Sequence, residues 1–337
     1  MTANPSSVQP VTVALAMLTL VPGGMGGSET YARALTRELA TGPKVDVTAF
    51  VPREAGGFSE SVDERIIPSV RGGASTRDRL MSVVSGSLHA RSIRKMMSPA
   101  DVVHYPFTVQ VPRAAKRQAV VQSLLDVQHL DLPGLFSRAE LLYRRHFYEG
   151  GARRADVVIT ISEFAKQRMI ELLGLPSEKI RVAHLGVDTA SFTPNHGIRE
   201  NFVLYPARGW AHKNHARLVE AMRIVRKSIP DIRLVLTGGG LDTLGNLPEW
   251  VDRKGLVSTS ELRELYRSAA VLAFPSLYEG FGLPPLEAMA SGCPAAVADA
   301  GSIPEVCGDA AVLFDPLDPD SIAHGICAAI ERGEELS

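Results

Sequence analysis

Short apolar runs alternate with longer amphipathic stretches along the whole chain, and this alternation restricts the folds open to it. Parallel strands need long crossover connections, which are usually helical, so the pattern is typical of parallel sheets covered by helices. The runs of the first half are VTVALAMLTL, VDVTAFV, DVVHYPF, AVVQSLLD, DVVITIS and IRVAHLG. A second series comprises FVLYPA, IRLVLTG, VLAFPS, AAVADA and AVLFD. The sequence predicts an α/β protein with two doubly wound domains.

The two series are separated by residues 186–200, a segment rich in turn-forming residues and with the composition of a linker. We therefore predict one domain at residues 1–188 and a second at 189–337. A length of 337 residues suits two domains better than one, and a hydrophobic content of 45% is enough for two cores.

Several helix boundaries are marked by residues that satisfy free backbone groups. We expect Ser28 to cap a helix that follows it, and Ser137 with Glu140 to form a capping box. Ser162 should cap a helix that ends at Gly174, where a residue without Cβ suits a left-handed conformation. Further helices are predicted at residues 215–228, 260–270 and 285–291.

Cysteine usage and hydropathy indicate a cytoplasmic location. The three cysteines, Cys293, Cys307 and Cys327, have neither metal-ligand spacing nor an even number for a disulfide framework. The apolar run from Val11 to Val21 is far shorter than the ~20 residues of a membrane span. No Lys or Arg precedes it, so it also lacks the charged front of a signal peptide.

Charge differs between the halves of the chain. Residues 1–188 carry 23 Lys and Arg against 18 Asp and Glu, whereas residues 189–337 carry 13 against 19. Such an asymmetry arises by chance or marks a surface that meets an anionic partner. Basic and apolar residues between Arg77 and Met96 suit either a helix lying on anionic lipid or a core-packed helix with a solvated face. Nucleic-acid binding is disfavoured, because no recognised module is present and the net charge is -1.

The first predicted strand runs into a glycine-rich loop, residues 23–28, followed by a predicted helix. Glycine lets backbone N–H groups approach an anion, and a helix N-terminus adds a favourable dipole. The dinucleotide pattern G-x-G-x-x-G fails, because Glu29 stands where its last glycine would be. The loop therefore faces a phosphate or forms only a tight turn.

Two cations, Arg208 and Lys213, follow the strand FVLYPA directly. Ligands of parallel sheets bind beyond the carboxyl ends of the strands, so both side chains can reach one diphosphate there. The alternative is an exposed loop with two solvated cations.

Two glutamates, Glu279 and Glu287, flank the segment GFGLPPL after the strand VLAFP. Proline suits the first turn of a helix, so a helix should begin near Pro284 or Pro285. The preceding residues 280–283 then form a loop whose free N–H groups point at a ligand. The glutamates can contact opposite ends of one elongated ligand.

Together these features resemble the retaining glycosyltransferases of family 4, whose GT-B fold has two Rossmann-like domains with parallel sheets facing across a cleft. The likeness covers nearly the whole chain, and its most specific part is the E-x7-E segment from Glu279 to Glu287. Other matching segments are DVVITISEFAKQRM, IRVAHLGVD, YPARGWAHKN, LVLTGGG, ELRELYRSAAVLAFPS and AGSIPEV.

The resemblance implies transfer of a sugar from a nucleoside diphosphate sugar, with UDP the first expectation and GDP the second. The acceptor would be a saccharide or a lipid-linked molecule on the N-terminal domain, with peripheral contact at the inner face of a membrane as one option. Two other functions stay open. A GT-B epimerase would release a changed sugar without an acceptor, and a non-catalytic binding module would leave the nucleotide sugar unaltered.

The family's residue roles map onto matching positions. Arg208 and Lys213 would bind the diphosphate and stabilise the leaving nucleotide, Glu279 would contact the donor sugar, and Glu287 would accept from the ribose hydroxyls. Same-face attack is implied, with the departing phosphate taking the proton of the acceptor; no metal or other cofactor is needed. Further donor contacts are expected at Gly26, Gly27, Lys254, Gly255, Leu256, Phe281, Gly282 and Leu283.

A literal D-x-D motif, the metal-holding pattern of other glycosyltransferases, occurs at Asp318-Pro319-Asp320. It lies in a turn-forming context, and we expect Asp320 to cap a helix rather than to bind a metal.

Two positions depart from the family. Members often have a histidine immediately before the residue equivalent to Asp126, where this chain has Leu125. His104, His129 or Asp126 itself could supply the missing contact to the donor sugar, although such a histidine is more often structural. A C-terminal helix that usually crosses back onto the first domain does not follow Ser337, so we expect it to be absent or truncated.

Overall fold

The computed structural model describes residues 9–336 apart from 43, 72–75, 196 and 334. Two compact units are present. The first comprises the chain up to Thr160 together with Lys166–Ala183, and the second comprises Ile161–Ala165 together with the chain from His184 onward.

Seven parallel strands form the sheet of the first unit, in the order β3-β2-β1-β4-β5-β6-β7. They are β1 (Val11–Ala16), β2 (Val45–Pro52), β3 (Asp63–Ile67), β4 (Val102–Tyr105), β5 (Ala119–Ser123), β6 (Val157–Thr160) and β7 (Ile180–Val182). Six follow from the apolar runs. The seventh, β3, has the sequence DERII and lies at an edge with most of its side chains at least partly exposed, so it carries no apolar run.

The helices of this part of the chain are α1 (Gly27–Thr41), α2 (Thr76–Leu88), α3 (Ala90–Met97), α4 (Gln128–Asp131), α5 (Arg138–Arg144), α6 (Gly150–Arg154) and α7 (Glu163–Leu173). A π-helical turn, Arg145–Glu149, joins α5 to α6. The capping box of Ser137 and Glu140 is confirmed. The Ser162 hydroxyl accepts from the N–H of Ala165, and Gly174 is left-handed, so both predicted ends of α7 are also confirmed.

The predicted cap at Ser28 is wrong. Helix α1 begins at Gly27, and its N-cap is Gly26, which has a positive φ of 55°. Ser28 is therefore the second residue of the helix and lies inside its first turn. Glu29, one residue further, accepts instead from the backbone N–H of Gly23 and closes the glycine-rich loop.

Six parallel strands form the sheet of the second unit, in the order β10-β9-β8-β11-β12-β13. They are β8 (Glu200–Pro206), β9 (Arg233–Thr237), β10 (Val251–Gly255), β11 (Ala269–Phe274), β12 (Ala295–Ala298) and β13 (Val312–Phe314). The edge strand β10 was not predicted, because its sequence, VDRKG, also lacks an apolar run. Strand order reverses between β8 and β11, which makes their carboxyl ends the expected ligand site.

The remaining helices are α8 (His215–Ser228), α9 (Thr259–Ser268), α10 (Leu283–Ala290), α11 (Ile303–Cys307) and α12 (Pro319–Glu331). Asp318, not Asp320, is the N-cap of α12, because its carboxylate accepts from the N–H of Asp320. The prediction named the wrong aspartate of the pair. Across the described ranges, no helix combines the length and apolar character required to cross a membrane.

Candidate active site

The loops after β8 and β11 meet at the point where strand order reverses in the second sheet. The backbone N–H of Leu277, after β11, donates to the carbonyl of His212, after β8, at 2.8 Å. This contact joins the loop that carries Arg208 and Lys213 to the loop that carries Glu279. The structure therefore brings three predicted catalytic residues onto neighbouring loops.

Lys213 and Glu279 form a salt bridge between these loops, and both side chains are largely buried. The Lys213 ammonium also lies 5.7 Å from the ring centroid of Phe274, within cation–π range. Charges removed from bulk water interact more strongly than surface charges do. The pair thus holds a cation and a carboxylate ready at the sheet edge.

The backbone of Lys213 is held from both sides. Its carbonyl accepts from the Tyr205 hydroxyl at 2.7 Å. Asn214 follows with a left-handed φ of 61°, a conformation that asparagine tolerates better than most residues, and its side-chain amide donates to the carbonyls of Pro275 and Pro316. Sequence reasoning missed both supporting residues; an asparagine directly before a predicted helix was the only signal for Asn214.

Arg208 is half-buried and lies near an aromatic ring rather than an acid. Its guanidinium carbon is 5.4 Å from the ring centroid of Trp210, and no carboxylate of the described residues forms an ion pair with it. Gly209 follows, where a Cβ would lie 2.1 Å from the Gly240 carbonyl oxygen. Glycine therefore allows the loop after β8 to pack closely against the loop after β9, which leaves the Arg208 cation available to an anion.

The loop that begins at Glu279, called the 279–283 loop below, leads into the first residue of α10, Leu283. Helix α10 thus begins one residue before Pro284, the earlier of the two predicted starts. Gly282 is the N-cap with a φ of 122°, and it has no side chain to satisfy the first N–H groups of the helix. A helix N-terminus without such a cap favours an anionic or polar ligand group. Phe281 lies in this loop, as predicted, whereas Leu283 is the first residue of α10 and not part of the loop.

Glu287 lies in the middle of α10, where the Tyr266 hydroxyl donates to its Oε2 atom at 2.9 Å. Burial raises the pKa of Glu287, while Tyr266 and the nearby Arg263 oppose that rise. The carboxylate is half-buried, and its other oxygen accepts no hydrogen bond from the described residues. It can accept a hydrogen bond from a ligand hydroxyl.

Lys254, Gly255 and Leu256, which are predicted to contact the donor, lie beside the glycine loop after β9. The carbonyl of Gly255 accepts from the N–H of Gly238 at 2.7 Å. Leu256 is 81% exposed, and the Lys254 ammonium lies 3.5 Å from the carboxylate of Glu261. An exposed leucine beside a backbone loop is suited to contact with a flat, weakly polar ligand surface.

In the first unit, Gly26 and Gly27 form the uncapped start of α1. His104 is buried, with Nε2 2.8 Å from the Ser123 hydroxyl, and burial lowers the pKa of His104 to about 4. His129 is also buried, with its Nε2 3.5 Å from the Glu149 carboxylate. This burial favours the structural alternative for both histidines.

Of the three candidates for the missing histidine, Asp126 alone is half-exposed, and it lies just beyond the carboxyl end of β5. Its carboxylate accepts from the backbone N–H of Gln128 at 3.1 Å, which fixes one oxygen. Its position beyond the carboxyl end of a parallel strand is where a ligand of the first sheet would bind.

Within the part of the chain that the structure describes, no group of three or more His, Cys, Asp or Glu side chains could hold a metal ion. In the D-x-D motif, the Asp318 carboxylate is engaged in capping α12.

Two protein-family models match adjoining parts of this chain. The model described as Glycosyltransferase Family 4 matches residues 25–191, and the model described as Glycosyl transferases group 1 matches residues 188–337.

Among curated proteins, O-antigen chain mannosyltransferase B of Escherichia coli is 26% identical over 253 residues, which are 68% of this chain and 66% of that protein. The MMP alpha-(1->4)-mannosyltransferase of Mycolicibacterium hassiacum is 32% identical over 203 residues, 55% of this chain and 48% of that protein. The chain thus spans between about half and two thirds of the length of these relatives.

Among solved structures, the sucrose-phosphate synthase of Thermosynechococcus elongatus has a TM-score of 0.77 at 19% identity, covering 97% of this chain and 94% of that one. This similarity, with the two parallel sheets, confirms the predicted pair of Rossmann-like domains and the GT-B fold class.

Burial of histidines around Lys213 predicts acid sensitivity. Burial, with a smaller effect of Lys213, lowers the pKa of both His212 and His215 from 6.5 to about 4. Between these values the unfolded chain binds more protons than the folded chain, so the free energy of unfolding decreases as the pH is lowered, by up to about 1.4 kcal/mol per pH unit for each histidine. Above pH 6.5 this contribution is constant.

Denaturant unfolding between pH 7.5 and 4.5 measures this dependence. His215→Gln should make it shallower, whereas the exposed His324→Gln should leave it unchanged. An identical pH dependence in His215→Gln and the unsubstituted protein would contradict the assignment.

Proposed function

Because this chain belongs to glycosyltransferase family 4 and has the GT-B fold, we propose that it transfers a sugar from a nucleoside diphosphate sugar to a saccharide or lipid-linked acceptor, with retention of configuration. The observation that carries the proposal is the buried Lys213–Glu279 pair at the carboxyl edge of the second sheet, beside Arg208. UDP is the first nucleotide to test and GDP the second. Mannose is the first sugar to test, since both relatives described above are named mannosyltransferases.

The diphosphate would lie between the two cations and the start of α10. In the reaction, the bond from the sugar C1 to the phosphate oxygen breaks, and a bond from C1 to the acceptor oxygen forms on the same face. The acceptor's proton passes to the departing phosphate. Arg208 and Lys213 would stabilise the negative charge that grows on that phosphate, and preorganised charges do so without reorganising at the moment of reaction.

Glu279 and Glu287 would orient the donor rather than act as an acid and a base. Glu279 would accept hydrogen bonds from the sugar hydroxyls while keeping Lys213 in place. Glu287 would accept from the ribose through the oxygen that Tyr266 does not occupy. Gly26 and Gly27, Asp126, and residues 254–256 would supply the remaining donor contacts.

Metal independence is part of the proposal. Two side-chain cations and an uncapped helix N-terminus supply the positive charge that a divalent ion supplies in other phosphate sites. The proposal gives the D-x-D aspartates no metal to bind, and one carboxylate oxygen of Asp318 already caps α12.

The direct test is a thermal-shift screen with UDP, GDP, dTDP and their sugars, followed by transfer assays in excess EDTA. A ligand that binds only the folded state raises the melting temperature. We expect stabilisation by one nucleotide family and transfer to a saccharide or lipid-linked acceptor, with the anomeric configuration retained by NMR.

Other outcomes would contradict separate parts of the proposal. Release of an epimerised sugar without acceptor would indicate an epimerase, and an unaltered nucleotide sugar across a broad acceptor panel would indicate a binding module. Loss of activity in EDTA that Mn²⁺ restores would disprove metal independence.

Removing either cation should slow the reaction. Arg208→Ala and Lys213→Ala should each lower kcat/KM by about 10²-fold or more, because each removes charge stabilisation in the transition state. Arg208→Ala is the cleaner variant, since Lys213→Ala also leaves the largely buried Glu279 without its partner. The exposed Lys227→Ala, on α8, is the charge-matched control and should keep full activity. Near-unchanged turnover in both site variants would exclude the proposed role of Arg208 and Lys213 in stabilising the diphosphate.

Helices α2 and α3 support a peripheral contact with a membrane surface that carries a lipid-linked acceptor. Ile93 and Met97 of α3 pack into the core, so part of the core-packed alternative is correct. Four apolar side chains of α2 are nevertheless exposed: Leu80, Met81, Val84 and Leu88. Basic residues follow on α3, and apolar plus basic surface favours anionic lipid. The side chains of Arg77 and Arg79 lie outside the described residues.

Flotation with lipid vesicles tests this contact. We expect binding to vesicles that contain anionic lipid, and several-fold weaker binding by the double variant Met81→Ser with Leu88→Ser, which removes exposed apolar area. Leu317→Ser, at a 60% exposed leucine of the second unit, is the control. Equal binding by the double variant and its control would disprove a role for α2.

A further inference from the structure

We propose that Ser302 and Ser162 are positioning residues of the active site, which turn the backbone N–H groups of the 279–283 loop toward the nucleotide sugar. This inference takes the loop's ligand from the proposed function. Neither serine touches the ligand in this scheme; both act through the backbone of the loop.

Ser302 holds two carbonyl groups of the loop. Its hydroxyl oxygen lies 2.6 Å from the carbonyl oxygen of Phe281 and 3.0 Å from that of Glu279. A hydroxyl has one proton, which serves the shorter contact, and the Ser302 N–H reaches the Glu279 carbonyl at 3.3 Å. Ser302 is fully buried, so water does not compete for these groups.

Ser162 holds the carbonyl between those two. Its hydroxyl donates to the carbonyl of Gly280 at 2.8 Å and accepts from the N–H of Ala165 at 3.0 Å. One hydroxyl thus uses its proton for the loop and a lone pair for the start of α7. Ser162 is also fully buried, and the segment Ile161–Ala165 belongs to the second unit.

Ser162 and Ser302 therefore hold three consecutive carbonyl groups of the loop. Because each peptide group is planar, this also sets the direction of the N–H groups in the same peptides. In a trans peptide, the carbonyl of one residue and the N–H of the next point in opposite directions. The N–H groups of Gly280, Phe281 and Gly282 must then each point away from the serine that holds the carbonyl of the same peptide. None of these three N–H groups donates a hydrogen bond to another described residue.

Unpaired N–H groups in a poorly exposed loop favour a ligand acceptor, because an unsatisfied backbone donor is costly. Phe281 is 6% exposed, and Gly282 is buried. Backbone N–H groups without a protein acceptor can bind phosphate or sugar oxygens. The uncapped start of α10, which follows directly in the chain, adds further N–H groups without a side-chain cap.

The residues beside Ser302 fit the loop closely. Gly301 has a φ of 62°, and a Cβ there would lie 3.0 Å from both the N and the O atom of Glu279. A Cβ on Gly282 would lie 2.6 Å from the Cδ1 atom of Ile303. Residues 301, 302 and 303 therefore each lie against the loop, and the segment supports the loop conformation.

Glu305, on α11, connects segment 301–303 to the residues that follow Ser162. Its carboxylate accepts from the N–H groups of Glu163 and Phe164 at 2.7 and 2.9 Å. The same carboxylate lies 2.8 Å from Nε2 of His184. These bonds fix the two serines relative to one another, so both hold the loop in a single conformation.

The test compares Ser302→Ala with Ser82→Ala by isothermal titration with UDP, GDP and their sugars. Ser82 is a matched control, because its buried hydroxyl also lies near two backbone carbonyls, 2.7 Å from Arg71 and 3.0 Å from Asp78. We expect Ser302→Ala to weaken nucleotide-sugar affinity by about 10-fold, or about 1.4 kcal/mol. Ser82→Ala should keep the original affinity at a comparable loss of melting temperature.

Ser162→Ala provides a second variant, should Ser302→Ala not fold, and we expect it to weaken the same affinity. The donor KM should rise in both variants while the acceptor KM stays constant, a separation that a general loss of stability would not produce. A folded variant with unchanged affinity, or an equal loss in Ser82→Ala, would overturn the positioning role. Nucleotide-sugar binding without transfer by the unsubstituted protein would refute only the proposed transfer reaction.

Discussion

The parallel pairing of β8 with β11 is the constraint on which the site depends. Strand order reverses between these two strands, so their carboxyl ends open onto one place at the sheet edge. Val203 lies opposite Val271 in this pairing, and both are fully buried. Hydrogen bonding and burial together fix the register, so the two loops start from defined positions. Beyond the strands, the N–H of Leu277 in one loop donates to the carbonyl of His212 in the other.

The salt bridge of Lys213 with Glu279 has little value as a source of stability. Removing charges from water costs about as much as their attraction returns, so a buried pair is weak evidence for a stabilising role. Its consequence is local: a cation is held beside the unpaired N–H groups of the 279–283 loop, with its backbone fixed by Tyr205 and Asn214. Such preorganisation is what stabilisation of a leaving phosphate requires.

Sequence patterns located the strands that carry an apolar run and missed two edge strands that lack one. Central strands are apolar because helices cover them, which let the strand ends, and with them Arg208 and Lys213, be placed correctly. The edge strands β3 and β10 carry charged residues and have no such pattern. The cap of α1 was misplaced because Gly26 turns the chain with its backbone alone, and a backbone conformation leaves no side-chain signal.

The sequence by itself determined the α/β class, the two series of strands, and the charged residues beyond their ends, since all of these follow from local periodicity and spacing. Only the tertiary structure decided which of those residues meet. Ser162 and Gly280 are 118 positions apart, and Ser302 reaches Glu279 across 23. Such partners depend on which strands pair and how the loops close. A hydroxyl that holds a distant carbonyl therefore leaves no mark in its own neighbourhood of the sequence.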